Sequence, residues 1–140
     1  MKHIALAIAL TAPGLAFAQS CPPSTSADLP VFEAAKAAFL KTDYKAFANL
    51  VDDYIPTIDD QFEALFGPLD ALGPRGFDRC RTVLQRRETP GFAQELILFF
   101  PKGSTVPLAL HLVGVEADGE VRMLEFTYNT AISEVLEGLH

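Results

Sequence analysis

The chain has 140 residues, room for one domain with a substantial core and not for two. Hydrophobic residues make up 49% and charged ones 21%, which excludes a disordered chain. Eighteen acidic residues against eleven basic ones leave a net charge of −7, a poor match for nucleic acid or an anionic lipid surface.

The first elements concern export. Met1-Lys2-His3 carries positive charge, IALAIALTAPGLAFA follows as a short apolar stretch, and small residues at Ala16 and Ala18 flank Phe17. This pattern predicts a signal peptide over 1–18, cut after Ala18. Pro13-Gly14 interrupts the apolar run, which falls short of the roughly 20 residues that span a bilayer. Ser20 suits acylation of Cys21, but Gln19 and Ala18 do not. No later segment is long and apolar enough for a membrane span. The expected location is therefore periplasmic or secreted. In such an oxidising compartment the sole cysteines, Cys21 and Cys80, predict a disulfide. At 59 positions apart they do not resemble a Cys-x-x-Cys redox pair. The bridge would tie a Pro-rich leader, 19–27, to the first strand.

A single α+β domain is expected over 28–140. Ser26 or Asp28 can cap a first helix whose apolar face holds Val31, Phe32, Ala35, Phe39 and Leu40. A second helix carries Tyr44, Phe47, Leu50, Val51 and Tyr54 and ends at Pro56. A third carries Ile58, Phe62, Leu65, Phe66, Leu69 and Leu72, with a kink or break expected at Gly67-Pro68. After Gly73-Pro74-Arg75-Gly76 the period changes to that of strands, expected at 77–88, 92–100, 106–115 and 121–129. Ala117-Asp118-Gly119 reads as a tight hairpin turn and 131–139 as a short closing helix. Helices followed by a four-stranded antiparallel meander define the α+β class.

This layout, with Leu40-Lys41-Thr42-Asp43-Tyr44 between two helices and the hairpin Ala117-Asp118-Gly119-Glu120, resembles the nuclear transport factor two-like (cystatin-like cone) fold. More narrowly it is similar to small exported bacterial domains of that type. The resemblance implies helices closing one side of a bent sheet, a cavity at the wide end, and homodimers in many members. Members include isomerases, dehydratases, binding proteins and scaffolds, so the fold does not carry a function. No family site residue matches a position here.

Five of the six arginines lie between Arg75 and Arg87. Strand alternation predicts Arg79, Arg81 and Arg87 on one face and Cys80 and Arg86 on the other. The three arginines are candidates for an anion or ligand site, since guanidinium grips carboxylate or phosphate as a fork; the alternative is a solvated face. His111, on a strand with Ala109 and Val113, is a candidate general base, with Glu125 or Glu95 as its orienter. Tyr128 is a candidate donor to a ligand. Asp52-Asp53 and Asp59-Asp60 lack the spaced oxygen ligands of a calcium loop. No nucleophile motif, phosphate loop or zinc spacing is present, so neither metal nor cofactor is expected. Three readings follow. One is an exported, non-catalytic domain binding a small ligand or a protein partner through the cone cavity or sheet face. Another is an enzyme of isomerase or dehydratase type with a His/carboxylate proton transfer. The last is a dimeric, envelope-associated scaffold.

Overall fold

The computed structural model describes residues 21–22, 29–51, 58–88, 91–137 and 139. The predicted signal peptide, most of the leader and the two expected cap residues, Ser26 and Asp28, lie outside the described residues.

Helix α1 spans Pro30–Leu40. Pro30 occupies the first turn, where its fixed φ suits the helix and its missing N–H is not needed. Phe32, Ala35, Phe39 and Leu40 are buried as the spacing predicts, and Lys36 is buried with them. Its ammonium lies 2.9 Å from Glu95 Oε2 and also contacts Glu33. Asp43 caps α2, Tyr44–Ala48, by accepting from the Ala46 N–H at 3.0 Å. This helix is shorter than its apolar spacing predicts: Val51 leaves it to form a parallel bridge with Met123. Tyr54 and Pro56 lie outside the described residues. Helix α3 spans Ile58–Leu72 and runs on through Pro68. Proline weakens a helix interior by removing one hydrogen bond, but buried Phe66 and Leu69 hold both sides of this one to the core.

The strands are β1 (Phe77–Glu88), β2 (Phe92–Pro101), β3 (Leu108–Ala117) and β4 (Glu120–Asn129), followed by α4 (Ile132–Glu137). They form an antiparallel sheet in the order β1-β2-β3-β4, so the expected α+β fold with a four-stranded meander is present. Strand β3 starts two residues after the expected Val106, beyond Pro107, which has no N–H for the ladder. Asp118 and Gly119 both adopt positive φ, as a two-residue hairpin turn requires.

The two faces of the sheet are covered differently. Ile97, Phe99, Leu108, Leu110, Leu112 and Met123 meet α1, α2 and α3 in the main core. Phe39 has the rings of Tyr44, Phe47, Phe77 and Phe99 around it at 4.7–5.6 Å, and Phe66 packs on Phe126. Aromatic rings thus fill the space between helices and sheet. On the opposite, outer face Leu84, Leu96, Leu98 and Ala109 pack with Ile132, Val135 and Leu139 of the C-terminal segment.

Alternation on β1 is not regular. The pairing steps from Thr82↔Ile97 to Leu84↔Leu96, leaving Val83 as an extra residue, and Asp78 is extra in the same way near the start. A one-residue bulge inverts every side chain beyond it. Arg79 and Arg81, across from Phe100 and Leu98, stay on the outer face. Arg87, across from Ala93, is turned to the helix side, and Arg86, across from Gln94, takes the outer face instead. The expected grouping of Arg79, Arg81 and Arg87 is therefore corrected: the bulge at Val83 separates Arg87 from the other two.

Candidate functional site

His111 lies on the outer face, between cross-strand neighbours Leu96 and Thr127. The small residues Ala109 and Val113 flank it along β3, and the leucines at 110 and 112 point into the core. Helix α4 roofs this part of the face. Asn129 holds the entry to α4: its Oδ1 accepts from the Ala131 N–H at 2.9 Å, and its Nδ2 donates to Glu134. The result is a cleft of about 260 Å³ lined by Phe92, Gln94, His111, Val113, Glu125 and Thr127, with Glu134 and Val135 above.

Two polar side chains in this cleft are sealed from solvent. His111 and Gln94 are each 4% exposed. Among the described residues, His111 Nε2 and Gln94 Oε1 have no hydrogen-bond partner. Burial lowers the His111 pKa below its ordinary value of 6.5, while the Glu125 carboxylate pulls the other way. The net direction is downward, so the imidazole is neutral at pH 7, and a neutral ring nitrogen either donates or accepts. The rest of the polar lining is rich in acceptors: Glu125, Glu134 and the Gln94 carbonyl oxygen, with one hydroxyl at Thr127.

The structure brings His111 and Glu125 into one cleft and leaves the other expected partners out. Glu95 projects to the helix side, where Lys36 and the Gln85 amide (2.8 Å) engage both its oxygens, so it does not orient His111. Tyr128 also lies on the helix side, across from Leu110, and its hydroxyl donates to the Leu65 carbonyl. Gln94, Thr127 and Glu134 were not singled out from the sequence. The first two were within reach of it, since they share the period-2 face of His111 on adjacent strands.

Arg79 and Arg81 line a second groove on the outer face, described below. Arg87 is remote from it and pairs with Glu116 at 3.6 Å. The side chains of Asp52, Asp53, Asp59 and Asp60 lie outside the described residues. Among the described residues no helix is long and apolar enough to cross a membrane. The expected Cys21–Cys80 disulfide is present.

No family model, curated protein or solved structure matches the chain.

Proposed function

We propose that the protein is an exported binding domain whose outer sheet face takes a small ligand rich in hydrogen-bond donors, in the cleft beneath α4. The observation that carries this reading is the pair of sealed, unpartnered atoms, His111 Nε2 and Gln94 Oε1, in one cleft. Each unmatched buried polar group costs about 1–3 kcal/mol, a penalty that a ligand N–H or O–H reverses on binding. Two carboxylates in the same lining favour an amine or a polyol over an acid. The volume, about 260 Å³, lies just below the roughly 300–1,000 Å³ of drug-sized pockets, which suits a ligand of few atoms. The signal-like N-terminus and the disulfide support export. The helix-then-meander layout supports the likeness to the nuclear transport factor two-like fold, but with the ligand site moved to the face away from the aromatic core.

The test is ¹⁵N NMR of the His111 ring during titration with ethanolamine, glycerol and acetate. A saturable shift of the Nε2 resonance with the amine or the polyol, and none with acetate, is the expected result. No shift with any of the three, or an equal shift with acetate, overturns the reading. A proton-transfer enzyme is the second reading, favoured by the neutral His111 beside Glu125. Its signature would be deuterium exchange into a ketone substrate that His111→Gln abolishes.

A further inference from the structure

The groove around Arg79 and Arg81 is a separate site and does not depend on the His111 cleft. It encloses about 500 Å³ between Pro22, Arg79, Cys80, Arg81 and Phe100. Its floor and one wall are apolar: the Phe100 ring, Pro22 and the Cys21–Cys80 bridge. That wall is fixed in place. The disulfide anchors Cys21, and Thr82 holds the same segment twice, through its hydroxyl to the Cys21 carbonyl (2.8 Å) and its N–H to the Pro22 carbonyl (3.2 Å). Arg79 lies with Cζ 4.5 Å from the centre of the Phe100 ring, which holds the guanidinium and its fork of donors at the groove. Its carboxylate neighbour Asp78 is 3.5 Å away, with both side chains more than 60% exposed, an arrangement of little energetic consequence. Among the described residues Arg81 makes no ion pair.

We infer that this groove binds an amphipathic carboxylate, a single anionic head on an alkyl or aryl body. The guanidinium fork matches a planar carboxylate in two parallel hydrogen bonds, the second guanidinium supplies further positive charge, and the apolar floor takes the body. Residues 75–87 are the cationic stretch of an otherwise acidic chain, so charge complementarity selects an anion here and not at the carboxylate-lined cleft. The same chemistry has two sources: a free organic acid, or the C-terminus of a chain ending in an apolar residue.

The experiment is calorimetric titration of the intact disulfide-bonded protein with 4-phenylbutyrate, its uncharged analogue 4-phenylbutanol, and N-acetyl-Ala-Phe with a free or an amidated C-terminus. Saturable binding of the acid, at least tenfold weaker for the alcohol, supports the site. Tighter binding of the free-ended peptide than of phenylbutyrate assigns the ligand to a chain terminus, and the reverse order assigns it to a free acid. Arg81→Gln weakens the acid about tenfold, and Arg87→Gln, on the helix side, leaves it unchanged. Because Arg81 is exposed, Arg81→Gln retains the fold, and the Phe100 ring resonances report contact directly. Equal affinity for acid and alcohol, no binding of any probe, or equal losses in the two Arg variants overturns the proposal.

Discussion

Removing the charge of Lys36 should unfold a large fraction of the stability of this domain, and removing its partner as well should restore much of it. Lys36 and Glu95 are 1% and 3% exposed, their charged atoms are 2.9 Å apart, and they join α1 to the middle of the sheet. Taking away one member of a buried pair leaves the other charged in a low-dielectric site and costs about 3–5 kcal/mol. In Lys36→Met the Gln85 amide still donates to Glu95 Oε1, so the lower end, about 3 kcal/mol, is expected. For a domain of this size that is about 12 °C in Tm, taking roughly 4 °C per kcal/mol. In Lys36→Met/Glu95→Leu both members of the buried pair are gone and apolar volume replaces them, a change that is often neutral or better, and the Glu33 carboxylate that also met Lys36 is 28% exposed and can turn to water. Urea denaturation monitored by far-ultraviolet circular dichroism gives the three free energies. A single variant within 1 kcal/mol of wild type, or a double variant no more stable than the single, refutes the argument that burial of an unpaired charge dominates here.

Cys80→Ser should lower stability by a few kcal/mol, at most about 4 for a loop of this length, and alkylation of the native unreduced protein should find no thiol. His111 titrates below its ordinary 6.5 in the folded protein because burial disfavours its charge. The unfolded chain therefore binds the proton first, and His111 makes stability fall as pH drops from about 6.5 towards the folded value. The denaturation midpoint of His111→Phe should drop less than that of wild type between pH 7.5 and 5.5. Burial first, then Asp70 and Tyr128, push the Tyr44 hydroxyl up to about 12. Its stabilising effect is complete below pH 10 and is lost as pH rises through about 12. Tyr44→Phe, which deletes a buried oxygen with no partner among the described residues, should match wild type within about 1 kcal/mol at neutral pH and unfold less readily between pH 10 and 12.

The elements were legible because their periods were strong: Phe32, Ala35, Phe39 and Leu40 mark one side of α1, and the turn chemistry of Asp118-Gly119 sets the last hairpin. Lys36 also sits on that helical stripe, four residues from Phe32 and from Leu40, and its burial was hidden because its partner, Glu95, is distant in sequence. The faces of β1 were legible only between its two inserted residues, Asp78 and Val83. Alternation carries no sign of an inserted residue, so it groups Arg87 with Arg79 and Arg81 when the chain turns it away. On β4, alternation alone distinguishes Glu125 from Tyr128, but which face meets α4 depends on the fold. The His111 cleft required that fact, along with the return of Glu134 and Val135 over the sheet.

The extra residues on the outermost strands bear on how copies of this chain meet. Val83 interrupts the ladder of β1, and Leu124 is passed over in β4, where the register moves from Val113↔Glu125 to Gly114↔Met123. The two central strands carry no insertion of their own. A further strand approaching either margin would find backbone groups in step for only a few residues before the spacing is lost. At Thr82 the margin is already occupied, because the N–H there is spent on Pro22. These interruptions disfavour sideways growth of the sheet into ribbons or fibres. A second copy seated on the outer face would cover both the Arg79 groove and the His111 cleft.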